Sequence, residues 1–189
     1  MCIRDRIIGD GKEVTHLWER ECSLQRRHQK LIEIAPCPNL PATLQERIIN
    51  AALQLATEAK YEGAGTVEFL VEGTTLKKDA AFYFLEVNPR IQVEHTVTEE
   101  VTGFDIVQFQ LNQAMGYSLG QLGLKQDQIP RPKGFALQAR VNMEHLDNQG
   151  NTIAKTGQLS VFDLPFGKNT RVETFGSVSY THLTLPTKA

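Results

Sequence analysis

The sequence predicts an α+β fold, and three features of the chain support this prediction. Two apolar runs, residues 65–72 and 81–87, flank a polar turn, which is typical of an antiparallel hairpin. Two further segments repeat apolar residues at intervals of three and four positions, which is typical of helices. Hydrophobic residues make up 41% of the chain and charged residues 22%, a balance that suits a globular domain with a packed core.

The first half of the chain is predicted to run from a strand into a helix and then into the hairpin. The strand covers residues 13–18 and leads into a polar run, residues 19–30. Pro41 suits the first turn of the helix that follows, and Gly63 suits its exit. The apolar positions of this helix are Leu44, Ile48, Ala52, Leu55 and Ala59.

After the hairpin, a second helix is predicted over residues 104–115, with Gly116 at its end. Residues 129–134 contain prolines and a glycine in close succession, which indicates a linker. Beyond this linker, residues 135–141 and 158–162 are predicted to be strands of a second unit.

The linker divides the chain into a first domain, residues 7–128, and the beginning of a second domain, residues 129–178. Residues 7–11 resemble a strand that runs straight into a turn, with nothing before it to complete a sheet. Residues 1–6 and 179–189 resemble the translated ends of sequencing reads, so we predict that they are non-native. The chain is therefore expected to be an internal fragment of a longer protein, which a full-length gene carrying both ends would overturn.

Composition and charge limit the classes of partner. A net charge of -2 gives no reason to expect nucleic acid or an acidic membrane surface as a partner, and no apolar run approaches the length of a membrane span. Cys2, Cys22 and Cys37 are odd in number and lack the spacing of a metal site, which favours a compartment where thiols stay reduced. We expect a cytoplasmic protein, or a mitochondrial matrix protein if the source is a eukaryote.

The stretch FYFLEVNPRIQVE, residues 82–94, alternates polar and apolar residues from position 86 onward. Residues two apart share a face of an extended chain, so one face would carry carboxylates, amides and a guanidinium together. Such a face can hold a cation and an anion side by side, which suggests an enzyme. The polar positions are Glu86, Asn88, Arg90, Gln92 and Glu94.

An ordinary half-buried strand with one solvated face shows the same alternation. A face that is merely solvated usually draws on Lys, Ser and Thr as well, and none of these occurs here. Pro89 cannot donate a backbone hydrogen bond, so regular pairing is predicted to end there.

If the hairpin pairs as predicted, Glu68 on its first strand lies near Glu86 on its second. Two carboxylates and the Asn88 amide oxygen are the hard oxygen ligands that Mg²⁺ prefers. Mg²⁺ in such a site bridges nucleotide phosphates. The alternative is that Glu68 pairs with a lysine or arginine elsewhere in the chain.

The run QRRHQK, residues 25–30, combines three cations, an imidazole and two amides. A charge run of this kind is usually a solvated basic surface. Lys30 directly precedes the apolar pair Leu31 and Ile32, so it can instead lie at the mouth of a strand.

The chain resembles the biotin carboxylases, the ATP-grasp subunits or domains of biotin-dependent carboxylases, over residues 7–178. The combination of QRRHQK with NPRIQVEH is specific to that family, whereas EVNPR alone is shared with carbamoyl-phosphate synthetase. The resemblance implies the C-terminal part of an ATP-grasp domain, followed by the start of the biotin carboxylase C-terminal domain. The motifs that carry it are ERECSLQRRHQKLIEIAP, GAGTVEFLVEG, FYFLEVNPRIQVEHTVTEEVTG and FALQARVN.

The resemblance also implies a role for each candidate residue. Mg²⁺ (or Mn²⁺) on ATP would be held by Glu68 and Glu86, with Asn88 beside them. The nucleotide site would be lined by Gln25, His28 and Leu70.

Bicarbonate would be held by Lys30, Arg90, Gln92 and the backbone of Val93. Glu94 would be the general base that removes the bicarbonate proton, and Arg140 would stabilise the enolate of biotin. An arginine at a strand end that merely pairs with a nearby acid is the alternative for Arg140.

The implied reaction is the ATP-dependent carboxylation of carrier-bound biotin with bicarbonate, by way of carboxyphosphate. The implied partners are a biotin carboxyl carrier domain and a carboxyltransferase, and the full-length chain is expected to be a homo-oligomer. The family's N-terminal domain and glycine-rich lid lie upstream of residue 7, so the fragment alone is expected to be inactive. Two alternatives remain at this point: another bicarbonate-activating ATP-grasp ligase such as carbamoyl-phosphate synthetase, and a non-catalytic nucleotide-binding module.

Overall fold

The computed structural model describes residues 1–73, 76–154 and 161–174. It divides the chain into two compact units, the first of which spans residues 1–140, with the second beginning at residue 141. The strands of the described residues are β1 (Cys2–Asp10), β2 (Val14–Glu21), β3 (Gln25–Arg26), β4 (Gln29–Lys30), β5 (Ile32–Ala35), β6 (Glu62–Val71), β7 (Phe82–Asn88), β8 (Ala136–Ala139), β9 (Glu144–Leu146) and β10 (Thr152–Ala154). The α-helices are α1 (Ala42–Glu58), α2 (His95–Thr102) and α3 (Ile106–Ala114), and a short 3₁₀ helix covers Gln126–Gln128.

One sheet organises the first unit. Its strand order is β7-β6-β1-β2-β5-β8, and all neighbouring strands are antiparallel. Separate two-stranded pairs are formed by β3 with β4 and, in the second unit, by β9 with β10. No helix among the described residues is long and apolar enough to cross a membrane. The α+β prediction is confirmed, because strands and helices mix around a mainly antiparallel sheet.

The predicted first helix is confirmed as α1, and Pro41 precedes its first residue. Leu44, Ile48 and Ala52 are fully buried against apolar residues of β1 and β6. The other two apolar positions of the pattern lie outside the buried face, since Leu55 is 40% exposed and Ala59 is an exposed residue beyond the end of the helix. The buried face instead continues at Ala56, four residues after Ala52, as the helical period requires.

Leu44 and Leu55 offer a matched pair of substitutions on this helix. We expect Leu44→Ala to lower the free energy of unfolding by about 2 to 5 kcal/mol, because it leaves a cavity in the core. Leu55→Ala removes the same atoms from a half-exposed site and is expected to cost less than about 1 kcal/mol. Urea denaturation of both variants measures the difference, and equal losses would contradict the assigned packing.

The predicted hairpin is confirmed as β6 and β7, with Glu68 directly opposite Glu86. The register shifts immediately afterwards, because Phe69 pairs with Phe84 and Leu85 is left as an extra residue in β7. Such a bulge twists the strand locally and re-aims the side chains next to it.

Several predicted boundaries need correction. The predicted strand over 13–18 is confirmed, but β2 continues to Glu21. Helix α2 was missed, because its β-branched residues weaken the helical signal and its first residue has no side-chain cap. It is stabilised by packing, since Val97 and Val101 lie against Ala35 of β5.

Residues 135–141, predicted to be a strand of a second unit, contain β8. Within that range, β8 pairs with β5 in the main sheet, with Ile34 opposite Leu137, so the first compact unit reaches Arg140. The predicted strand over 158–162 lies mostly outside the described residues, and residues 161–162 are not in a strand. The division into two family domains stays a prediction.

Residues 2–6 extend the strand predicted from residue 7 and lie in β1, between β6 and β2. Asp5 and Arg6 are fully buried, and their polar atoms include several without a hydrogen-bond partner among the described residues. Burial raises the pKa of the Asp5 carboxyl well above its usual range, and the nearby Glu19 charge adds to this effect. Burying such groups costs free energy. This cost is compatible with the prediction that residues 1–6 are non-native, which stays a prediction.

Candidate functional site

The predicted metal ligands meet on one face of the β6–β7 hairpin. Glu68 and Glu86 are register partners, and directly opposite residues of antiparallel strands project to the same face. The Asn88 side chain donates from Nδ2 to Glu86 Oε1 at 2.8 Å. Glu86 is exposed and Asn88 is half-buried, so both can reach a ligand.

Glu68 is buried, and its carboxylate already has basic partners. Arg4 donates to its Oε2 from Nη2 at 2.6 Å and from Nε at 2.8 Å, and Lys30 Nζ lies 3.3 Å from its Oε1. The alternative reading of Glu68, a lysine or arginine partner, is therefore observed. Burial alone would raise the pKa of Glu68, but a hydrogen bond from Cys2 and the charges of Arg4 and Lys30 outweigh it and lower the pKa.

The donor set of Glu68, Glu86 and Asn88 fits Mg²⁺ in chemistry and in register. Arg4 opposes this fit, because its guanidinium donates two hydrogen bonds to one oxygen of the Glu68 carboxylate. A divalent cation bound here would therefore compete with Arg4 for the Glu68 carboxylate.

This competition gives a testable result. We expect Arg4→Ala to tighten Mn²⁺ binding to this chain by roughly tenfold or more, the scale of one hydrogen bond to a charged group. Electron paramagnetic resonance titration of free Mn²⁺ measures the affinity, and Arg131→Ala, which removes an exposed arginine of residues 129–134, is the control. Equal affinities for the parent chain and Arg4→Ala would contradict a cation site at Glu68.

A shallow cleft beside this face, with no enclosed room for a water-sized ligand in this structure, brings together the predicted base and the predicted enolate-stabilising arginine. Arg140 Nη2 donates to Glu94 Oε1 at 2.9 Å, so the pairing of Arg140 with a nearby acid is also observed. Glu94 is buried and directly precedes α2, while Arg140 directly follows β8. The cleft is lined by Lys30, Leu31, Glu33, Glu94, Gln138 and Arg140.

Gln92 is buried beneath the same region, and its Oε1 accepts from Arg20 Nη2 at 2.7 Å. Arg20 also donates from Nε to Glu33, which lines the cleft. Burial raises the pKa of Glu33, and the charge of Glu94 acts in the same direction, against the charge of Arg20. The sequence pattern missed Arg20 and Glu33. In the sequence, Arg20 is one of many polar residues in the run 19–30, and Glu33 is a single charge between two isoleucines.

Arg90 and Val93 do not join this cleft. Both are exposed, and the Arg90 guanidinium donates from Nη1 to the neighbouring Ile91 carbonyl at 3.2 Å. The structure therefore brings together Lys30, Glu94 and Arg140 from the predicted anion-binding set, with Gln92 in contact with the same buried network.

The three predicted nucleotide-lining residues are all exposed, and no contact joins them within the described parts of the chain. Gln25 pairs with Lys30 across the β3–β4 hairpin, and His28 lies in its turn with a φ of 64°. Leu70 lies on β6 and is 45% exposed. The basic run is thus a tight hairpin that brings Lys30 back to the mouth of β5.

Two cysteines form a cluster that spacing did not predict. The Sγ atoms of Cys2 and Cys22 are 2.8 Å apart, and Cys2 Sγ is 2.9 Å from Glu68 Oε1. The hydrogen bond with Cys2, together with burial, raises the pKa of the Cys22 thiol. These three groups could hold a metal ion. Cys2 lies in the segment predicted to be non-native, so we assign no role to this cluster.

Comparison with known proteins gives a consistent result. Residues 3–122 match the family described as "Carbamoyl-phosphate synthase L chain, ATP binding domain". A pyruvate carboxylase of Aspergillus niger is 46% identical over 172 residues, which cover 90% of this chain and 14% of that protein. The chain therefore spans about one seventh of the length of this relative.

Two solved structures are similar in fold as well as in sequence. A biotin carboxylase domain of a single-chain bacterial carboxylase is 49% identical, with a TM-score of 0.75, over 88% of this chain and 35% of that chain. The biotin carboxylase domain of a thermophilic 2-oxoglutarate carboxylase, bound to ADP without magnesium, is 37% identical with a TM-score of 0.75, over the same 88% and 35%.

Proposed function

This chain belongs to the family of carbamoyl-phosphate synthase L chain ATP-binding domains, and we propose that the full-length protein is a biotin carboxylase. Its similarity to a pyruvate carboxylase and to a solved biotin carboxylase domain supports this choice within the family. It would use ATP and bicarbonate to carboxylate biotin on a carrier domain, by way of carboxyphosphate. The observation that carries this proposal is the Glu94–Arg140 pair, 2.9 Å apart in a cleft with Lys30. Two cations can hold an anion beside a carboxylate, which places that carboxylate within reach of the anion's proton.

Bicarbonate would be held by Lys30 and Gln92, and Glu94 would accept its proton. Arg90 and the backbone of Val93, which lie outside the cleft in this structure, would have to turn towards it to join them. Removing that proton makes bicarbonate a better nucleophile towards the γ-phosphoryl group of ATP. Arg140 contacts Glu94 at one carboxylate oxygen and would place its positive charge where negative charge develops on the ureido group of biotin. A planar guanidinium suits both contacts better than an ammonium would.

ATP would lie over the hairpin, with Gln25, His28 and Leu70 along the nucleotide. Glu68, Glu86 and Asn88 would hold Mg²⁺, which would neutralise negative charge on the nucleotide phosphates. Because Arg4 engages Glu68 in this chain, the site would bind the metal fully only where another residue replaces Arg4 or its side chain moves.

The proposed reaction requires two further protein domains. A biotin carboxyl carrier domain would deliver biotin, and a carboxyltransferase would pass the carboxyl group to the final acceptor. We propose a homo-oligomer for the full-length protein and a reducing compartment, the cytoplasm or the mitochondrial matrix. The free, buried cysteines are compatible with such a compartment.

Carbamoyl-phosphate synthetase is the second candidate, because the matching family carries its name and EVNPR occurs in both. ADP release by the full-length protein, measured with bicarbonate and either free biotin or ammonia, separates the two. Stimulation by biotin alone supports the proposal. Stimulation by ammonia alone supports the second candidate, and ATP hydrolysis that does not depend on bicarbonate contradicts both.

Substitution of Glu86, the exposed carboxylate on β7, tests the proposed metal site. We expect Glu86→Gln to raise the KM for Mg·ATP in the full-length protein by roughly tenfold or more, because one charged ligand is lost. Glu72→Gln neutralises an exposed glutamate just beyond β6 and is the matched control. Equal KM values for the two variants would count against a metal site at residue 86.

A further inference from the structure

The side-chain amide of Gln92 is held in one orientation. Its oxygen accepts hydrogen bonds from Arg20 Nη2 at 2.7 Å and from Arg4 Nη1 at 3.3 Å. A guanidinium has only donors, so the amide oxygen rather than the NH₂ group must face these arginines. The NH₂ group is then the end of the amide that can donate to an anion.

Arg20 is itself fixed. Its side chain is fully buried on β2, and its Nε donates to Glu33 on β5. One planar guanidinium therefore contacts both Glu33 on β5 and Gln92 in the segment that follows β7. Glu33 also lines the cleft that contains Lys30, Glu94 and Arg140.

We propose that Arg20 is a positioning residue for anion binding, which fixes the Gln92 amide so that its NH₂ group is presented to bicarbonate. This inference rests on the proposed function, in which Gln92 helps to hold bicarbonate. Arg20 rather than Arg4 has this role, because its contact with the Gln92 oxygen is shorter, 2.7 Å against 3.3 Å, and Arg4 is already engaged by Glu68. If Arg20 were lost, the amide could rotate and turn its oxygen towards the anion, where it would repel it.

The Arg20→Lys variant distinguishes a role for the positive charge of residue 20 from a role in orienting the Gln92 amide. A lysine at residue 20 keeps the positive charge but cannot bond Glu33 and Gln92 in the same fixed geometry. If Arg20 acted only through its charge, Arg20→Lys would leave bicarbonate binding nearly unchanged. If it acts through Gln92, Arg20→Lys weakens bicarbonate binding, and the effect disappears once Gln92 is removed.

The test is a double-mutant cycle in the full-length protein, read from bicarbonate-dependent ATP hydrolysis. We expect Arg20→Lys to raise the KM for bicarbonate roughly tenfold, the scale of one charge-assisted hydrogen bond, with the KM for ATP within about twofold. In a Gln92→Ala background, Arg20→Lys should change the KM for bicarbonate by less than about twofold. Arg47→Lys, an exposed arginine of α1, is the matched control.

Effects that multiply in the double variant, or an unchanged KM for bicarbonate in Arg20→Lys, would overturn the inference. If Arg20→Lys does not fold, the paired replacement Arg20→Met with Glu33→Leu takes its place in the same cycle, because replacing a whole buried ion pair by apolar residues is often tolerated. It should raise the KM for bicarbonate while the thermal midpoint is retained, and an unchanged KM would overturn the inference. A parent protein without bicarbonate-dependent hydrolysis refutes the proposed function, whereas an active parent with multiplying effects refutes only the role of Arg20.

Discussion

Replacing Glu94 by glutamine is expected to lower bicarbonate-dependent ATP hydrolysis of the full-length protein by about a hundredfold to ten-thousandfold, the usual contribution of a general base. The amide keeps the size of the side chain and can still accept from Arg140, but it cannot take a proton at neutral pH. The loss should therefore appear in kcat, with the KM for ATP close to that of the parent protein.

The matched control is Glu46→Gln, which neutralises an exposed glutamate on α1 that does not line the cleft. Its kcat is expected to equal that of the parent protein. A kcat in Glu94→Gln as high as in this control would show that another group removes the proton.

Replacing Arg140 by alanine is expected to lower biotin-dependent carboxylation by about a hundredfold or more, the scale on which one fixed donor stabilises developing negative charge. ATP binding should be largely retained, because Arg140 contacts Glu94 and not the hairpin that would hold the nucleotide. Carbon-14 incorporation from labelled bicarbonate into free biotin measures the effect, and unchanged carboxylation would refute the role.

Arg140 also neutralises Glu94, so its loss could act through the base. Bicarbonate-dependent ATP hydrolysis in the absence of biotin separates the two effects. A role on biotin alone leaves this partial reaction within about threefold of the parent value, whereas a role through Glu94 lowers both reactions together. Arg131→Ala, which removes an exposed arginine of the linker, is the control.

The sequence was sufficient to predict the hairpin and the pairing of Glu68 with Glu86. Local alternation and a short polar turn determine which residues of adjacent strands face each other, so this contact depends on few long-range choices. The helix α1 followed from its period, although Leu55 shows that an apolar residue at helical spacing can still lie at the edge of the buried face.

The buried network around Gln92 could not be predicted in the same way. Arg20, Glu33 and Gln92 lie on β2, on β5 and after β7, and they meet only because the fold brings these three distant parts of the chain together. No spacing within the sequence encodes such contacts between distant elements. Helix α2 was missed for a related reason, since its stability comes from packing against β5 rather than from helix propensity.

The central claim is that a magnesium nucleotide and bicarbonate lie next to each other along β6, β7 and the residues that follow. Bicarbonate labelled with oxygen-18 tests it in the full-length protein, because attack of a bicarbonate oxygen on the γ-phosphoryl group leaves that oxygen in the released phosphate. We predict phosphate that carries a single labelled oxygen, with Glu94→Gln abolishing the transfer. Phosphate that carries no label while ATP is hydrolysed at full rate would contradict the account.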